Sequence, residues 1–221
     1  MSFNRLLSIG TLLVPLLLLL GVIAGACYYR YLDKKNQFLV IYLSICLTVD
    51  IVSRIIGEVY HNNLIFIVIF SLLELVFFYV YYRVCFFKKN IWPYTVFTFI
   101  ASVYMIYEMF TLNDVEPIDF QPYSKVICSF IIIIMSINSL FENLGKEQQD
   151  SMLVKLSSVF VIYFSLNLIF FLPVNFLINV TSSVKFYFWF ANLLLTISLY
   201  TFLSKEIWKN GSTQKRLQSG F

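Results

Sequence analysis

Charged side chains are rare in the long apolar segments of this chain, and three of them share one helical face. Asp50, Arg54 and Glu58 stand at i, i+4 and i+8, so on a helix they lie one above the other. One interpretation is structural: the two acids neutralise the arginine so that the segment can enter a membrane, because buried charges must be paired. The other is functional: Arg54 reaches Glu74 or Glu108 on another segment, and these groups together hold a ligand.

Glu74 has neither Lys nor Arg three or four residues away, and its own segment surrounds it with Leu, Val and Phe. At about 1.5 Å of rise per residue it falls roughly 15 Å below the outer face, near the membrane midplane. A carboxyl group at that depth serves as a proton relay, as a cation site, or as a hydrogen-bond donor to a neighbouring helix.

Glu108 and three asparagines add polar side chains to four further segments, and by the same rise most of these groups fall in the outer half of the membrane. Asparagines also bond across helices for packing alone, so they are the weaker signals. The pattern predicts an outward-facing polar pocket for a ligand or an ion, closed on its cytoplasmic side by apolar and aromatic packing. Its predicted residues are Asp50, Arg54, Glu74, Glu108, Asn138, Asn167 and Asn192.

The segments that carry these residues are those of a membrane protein. Of the 221 residues, 60% are hydrophobic and only 13% are charged, which excludes a soluble enzyme. The apolar runs do not alternate as barrel strands do, so the prediction is an all-α bundle that forms one domain over residues 1–221. Seven transmembrane helices are expected, at about 6–29, 38–60, 64–82, 91–112, 126–141, 156–180 and 186–204.

The distribution of Lys and Arg predicts the orientation. Twelve cations fall in connectors one, three and five and in the C-terminal tail: Arg30, Lys34, Lys35, Arg83, Lys88, Lys89, Lys146, Lys155, Lys205, Lys209, Lys215 and Arg216. The opposite side carries three: Arg5, Lys125 and Lys185. The positive-inside rule therefore places the N-terminus outside and the C-terminus in the cytoplasm of a plasma (inner) membrane.

The cytoplasmic cations are also the expected contact surface for anionic lipid or for a protein partner. The residues predicted for that contact are Arg83, Lys88, Lys89, Lys205 and Lys209. The lipid bilayer, a protein on the cytoplasmic face and a second copy of the chain are the expected partners, and no direct nucleic-acid site is evident.

Several activities are excluded by the residues that are missing. A single His and four scattered Cys cannot supply a metal or haem site, and Asp50 is the one Asp within a predicted span. There is no phosphate loop and no serine-nucleophile motif. We expect a non-enzyme without a cofactor or metal.

The third and seventh segments carry a loose motif. It consists of Asn63, Ser71 and Glu74 followed by Phe77, Phe78 and Tyr79, and then of Phe188 and Trp189 followed by Asn192. In this the chain resembles a loosely defined family of small, uncharacterised bacterial seven-span proteins, some of which are accessories beside RNA-targeting CRISPR effectors. The resemblance implies an accessory role, with the basic cytoplasmic connectors as the contact surface.

Two functions follow from these observations. The first is a non-catalytic sensor or accessory module that binds at the outer pocket or at its cytoplasmic face. The second is a carrier or oligomeric channel for a cation or small solute that uses Glu74. The odd number of spans does not divide into two equal repeats, which weighs against the carrier.

Overall fold

The computed structural model describes residues 3–60, 63–87, 91–112, 120–173 and 182–219, and this part of the chain is helical. Its seven helices are α1 (Phe3–Tyr28), α2 (Lys34–Tyr60), α3 (Ile65–Cys85), α4 (Trp92–Thr111), α5 (Tyr123–Leu144), α6 (Ser151–Phe171) and α7 (Ser182–Ser219). Six of them are long and apolar enough to cross a membrane. The exception is α4, whose 20 residues include Glu108 and several Thr and Tyr side chains that lower its hydropathy. The predicted all-α membrane bundle is confirmed at this level.

The helices form two compact units. The three-helix unit comprises Met1–His61 and Phe186–Phe221, and so contains α1, α2 and nearly all of α7. The four-helix unit comprises Asn62–Lys185, and so contains α3, α4, α5 and α6.

Glycines let α1 approach both of its neighbours in the three-helix unit. A Cβ atom at Gly21 would collide with Ser204 of α7 and Leu43 of α2, and one at Gly25 would collide with Val40 of α2. Small residues at such contacts allow helix backbones to come together in a membrane, where van der Waals packing drives association.

The seventh helix extends well beyond its predicted span of 186–204. It has 38 residues, which correspond to about 57 Å, whereas the hydrocarbon core is about 30 Å thick. Leu203 and Ile207 are fully buried, and the side-chain oxygen of Asn210 accepts a hydrogen bond from the Asp33 backbone N–H at 3.3 Å. Residues 205–219, expected from their charge to belong to a polar tail, therefore continue the helix, which is hydrogen-bonded to the turn between α1 and α2.

In the four-helix unit, the buried face of α5 is rich in polar side chains and its exposed face is apolar. Apart from Cys128, Ile131, Ile132 and Met135, the buried residues of α5 are polar: Ser124, Lys125, Ser129, Ser136, Ser139 and Asn143. Its exposed residues include Phe130, Ile134, Ile137 and Phe141. This inversion of the pattern of soluble proteins is what lipid requires, since lipid solvates apolar side chains and leaves polar ones to bond inside the bundle.

Two predicted spans, 126–141 and 156–180, begin after their helices do, because Lys125 and Lys155 were assigned to connectors on account of their charge. Both lysines lie within helices. Asp150 fixes the start of α6, since its carboxylate accepts hydrogen bonds from two backbone N–H groups of the first turn, both at 3.1 Å. Residues 174–180 of the second span lie outside the described part.

Replacing Gly25 by Leu should lower the stability of the three-helix unit by about 1–3 kcal/mol, the usual cost of overpacking, because the new side chain meets Val40. Thermal unfolding of the purified protein in detergent measures the loss. A second substitution, Val40→Ala, should restore part of it. Ala26→Leu, one residue further on at an exposed position, should leave the unfolding temperature near that of the wild type; an equal loss in both Leu variants would contradict the packing described here.

Candidate functional site

A buried ion pair joins α3 to α5. The ammonium nitrogen Nζ of Lys125 lies 2.6 Å from Oε2 of Glu74, and the two side chains are 5% and 0% exposed. Glu74 projects from the middle of α3, and Lys125 lies in the first turn of α5. Taking two charges out of water is costly, and such a pair persists only when its geometry and its remaining hydrogen bonds compensate.

The surroundings of the pair supply that compensation. The thiol of Cys128, one turn along α5, donates to the same Glu74 oxygen, with a sulfur–oxygen distance of 3.7 Å. On the other side, the Lys125 nitrogen lies 4.9 Å from the centre of the Phe70 ring, within the range of a cation–π interaction.

Glu108 of α4 binds the start of α5 beside this pair. Its Oε2 accepts hydrogen bonds from the backbone N–H of Ser124 at 3.0 Å and from the Ser124 hydroxyl at 2.6 Å. A carboxylate at this position satisfies an N–H group that has no partner within the helix and faces the positive end of the helix dipole.

The fourth helix joins the same region through amides. The hydroxyl of Ser129 donates to the side-chain oxygen of Asn167 at 3.5 Å. Just before α5, the Gln121 amide donates to the carbonyls of Phe171 and Leu172 at the end of α6, at 3.2 and 2.7 Å. We refer to the set Glu74, Glu108, Ser124, Lys125, Ser129 and Asn167 as the polar layer.

Aromatic rings close the polar layer on the side toward the turn between α5 and α6. Phe78, one turn after Glu74, meets Phe160 and Phe164 of α6 edge to face, with ring centres 5.0 and 5.1 Å apart. Beyond these rings, the hydroxyls of Tyr82 and Ser136 are 2.7 Å apart in a second buried polar contact. The polar layer is therefore separated from one end of the unit by packed rings.

Of the two ion pairs possible in the acid–arginine–acid series on α2, only the Asp50–Arg54 pair forms among the described residues. Arg54 donates to both carboxylate oxygens of Asp50, at 2.7 and 3.1 Å, and to the backbone carbonyl of Thr11 on α1 at 2.9 Å. Within the described ranges, Glu58 makes no ion pair with Arg54. The Asp50–Arg54 pair is part-exposed and links α1 to α2 within the three-helix unit.

The seven predicted pocket residues thus divide into groups. Glu74, Glu108 and Asn167 come together in the polar layer. Asn138 does not: it lies about 22 Å along α5 from the start of that helix, and its amide donates to Glu142 at 3.1 Å. Asn192 belongs to α7 in the three-helix unit, as Asp50 and Arg54 do to α2, and its buried side-chain oxygen accepts no hydrogen bond from the described residues.

Lys125 is the residue that sequence reasoning misplaced. It was assigned to the outer connector as one of three topology-setting cations, and this is wrong, because it lies in α5 and pairs with Glu74. Glu74 has no cation three or four residues away on its own helix, as the sequence shows, and its cation comes from another helix. A signal was present: Ser124, Cys128, Ser129, Ser136 and Ser139 mark one polar face of α5, and Lys125 falls on that face.

Of the predicted cytoplasmic contacts, Arg83, Lys205 and Lys209 are exposed. Lys88 and Lys89 lie outside the described residues. In the described part of the chain, no three His, Cys, Asp or Glu side chains cluster as metal ligands would. Comparison with protein families, curated proteins and solved structures finds no match for this chain.

The arrangement offers charge-based binding. A buried carboxylate that holds an ammonium group can exchange it for another cation, and the ammonium group can exchange the carboxylate for another anion. The polar layer holds Glu108 and Asn167 beside the pair as further hydrogen-bonding groups.

Removing one member of the pair should cost more than removing both. Glu74→Gln and Lys125→Met should each lower the free energy of unfolding by about 3 kcal/mol or more, because each leaves one buried group without its partner. The double variant should recover most of this loss. Denaturant titration of the wild type, the two single variants and the double variant completes this double-mutant cycle. If the losses of the single variants add up in the double variant, the two side chains do not interact.

Glu108→Ala should lower the free energy of unfolding by about 1–2 kcal/mol, because Ser124 loses the acceptor of both its backbone N–H and its hydroxyl. Glu147→Ala, at an exposed position in the turn after α5, is the matched control. The same denaturant titration should show little change for that control. Equal losses in the two variants would contradict the capping role.

Proposed function

We propose that this chain is a non-catalytic, multi-pass protein of the plasma (inner) membrane with seven spans, its N-terminus outside and its C-terminus in the cytoplasm. The burial of Lys125 supports the orientation. Because this lysine is no longer one of the three cations counted in the outer segments, the charge bias becomes twelve cytoplasmic cations against two outer ones. The length of α7 agrees with it, since the cationic end of that helix extends beyond the hydrocarbon core.

The seventh span in this proposal is α4. Its 20 residues correspond to about 30 Å, which matches the thickness of the hydrocarbon core. Ser124 of the next helix satisfies one oxygen of its carboxylate, Oε2 of Glu108, which lowers the cost of placing α4 in lipid, while the buried Oε1 has no hydrogen-bond partner among the described residues.

The proposed role of the four-helix unit is to bind a small charged ligand in the polar layer, as a sensor or accessory module. The observation that carries this proposal is the buried Glu74–Lys125 pair. Apolar side chains would hold the helices together at lower cost, and intramembrane charges of this kind are functional by default. A ligand that replaces one partner changes the contact between α3 and α5, and so converts binding into a helix displacement.

Ligand-dependent stabilisation tests this role. The purified protein is heated in detergent with sodium, potassium, ammonium, chloride, acetate or phosphate salts at matched ionic strength. At least one ion should raise the unfolding temperature of the wild type, because binding to the folded state stabilises it. The same ion should leave the Glu74→Gln/Lys125→Met double variant unchanged and should still stabilise Glu58→Gln, a control at an exposed position of the three-helix unit.

A carrier is the second proposed function, and the depth of Glu74 favours it. Glu74 lies nine residues after the start of α3, about 14 Å along that helix and so near the membrane midplane. Ion flux into liposomes should then be present for the wild type and absent for Glu74→Gln. If an ion stabilises the protein but no flux is seen, the carrier is excluded and the sensor role stands. If the protein shows neither stabilisation nor flux, the polar layer has a purely structural role.

An accessory module also needs a partner. Lys205 and Lys209 stand one turn apart on the exposed face of α7, beyond the predicted hydrocarbon span. Affinity purification from native membranes should retrieve a stable partner protein, and Lys205→Gln/Lys209→Gln should release it. Retrieval of nothing, or of the same protein by the variant, would remove these lysines from the accessory role.

A further inference from the structure

A groove between α4 and α5 lies apart from the polar layer. Its volume is about 510 Å³, which is within the usual range of small-molecule sites, and its walls come from the start of α4 and the face of α5. The lining residues are Pro93, Tyr94, Phe97, Phe130, Ile131, Ile134, Asn138 and Glu142.

The groove is apolar along most of its length and polar at one end. Phe97, Phe130 and Ile134 are exposed along it. At the polar end, Asn138 and Glu142 are joined by a hydrogen bond of 3.1 Å, and Tyr94 lines the same groove. A carboxylate and an amide therefore meet where the groove ends.

The polar end lies at the boundary of the hydrocarbon. Glu142 is two residues from the end of α5, and Pro93 is the second residue of α4. From Phe130 to Glu142 the groove extends along α5 for about 18 Å, close to the thickness of one leaflet, about half of the 30 Å hydrocarbon core. In the proposed orientation this is the cytoplasmic leaflet.

We propose that this groove binds one phospholipid whose head group carries a primary ammonium. The acyl chain lies along Phe97, Phe130 and Ile134, and the ammonium donates hydrogen bonds to the Glu142 carboxylate. Charge complementarity selects this occupant: the groove ends in an acid at the depth of the head groups, and an ammonium with N–H donors satisfies that acid. Asn138 already donates to one oxygen of that carboxylate, but no ion pair joins it to a cation of the described residues, so a wholly apolar occupant would leave its charge unpaired.

Competition between two lipids tests the proposal. Phosphatidylethanolamine and phosphatidylcholine with identical acyl chains differ in the N–H donors of the head group. Native mass spectrometry of the full-length protein, titrated with each lipid, gives their relative occupancy. The wild type should prefer the ethanolamine lipid by about threefold to tenfold, the range of one net hydrogen bond.

Glu142→Gln should abolish this preference, whereas Glu147→Gln, an exposed acid outside the groove, should preserve it. Phe97→Ala/Ile134→Ala should lower the occupancy of both lipids without changing their ratio, which separates the apolar wall from the head-group site. Equal binding of the two lipids by the wild type, or a preference that survives Glu142→Gln, would overturn the proposal. So would cross-linking of Phe97→Cys into a dimer that excludes lipid, since the occupant would then be a second copy of the chain.

Discussion

The four-helix unit depends on one constraint: a carboxylate and an ammonium that leave water must satisfy each other inside the protein. Glu74 and Lys125 do so at 2.6 Å, from two different helices, with almost no exposure. The pair fixes the register of α3 against α5, because neither side chain has an alternative of equal quality in lipid. The Cys128 thiol also donates to the Glu74 carboxylate, and the Phe70 ring faces the Lys125 ammonium group. Glu108 accepts a hydrogen bond from the first turn of α5 beside the pair.

The same constraint explains why α5 is built as it is. A helix that must carry a lysine into the bundle needs a face of small or polar residues to make room for it, and α5 provides serines along that face. Its outer face is left to Phe and Ile, which lipid solvates. The aromatic cluster around Phe78 separates the polar layer from the Tyr82–Ser136 contact, so the two polar regions are insulated from one another. The three-helix unit uses a different means, glycine contacts along α1, and its own pair, Asp50–Arg54, is part-exposed.

The sequence predicted what depends on composition and on periodicity within a segment. The helical class, the approximate positions of most helices and the pairing of Asp50 with Arg54 all follow from patterns of that kind. Contacts between segments were predicted poorly. Lys125 was assigned to a connector because a charge close to a span end normally sets topology, and only the packing of α5 on α3 shows that it points inward. Asn138 was placed in the outer pocket from its depth alone, whereas the start of α5 at Tyr123 and its bond to Glu142 place it elsewhere.

Charge reversal tests the central claim most directly. Glu74→Lys and Lys125→Glu each place two like charges in the buried site, so neither variant should accumulate as a monodisperse protein in membranes, as size-exclusion chromatography after extraction would show. The double variant Glu74→Lys/Lys125→Glu restores opposite charges and should recover a large part of the folded yield. Folding of both single variants at the wild-type level would contradict the account, because it would mean that Glu74 and Lys125 do not meet in the core of the four-helix unit.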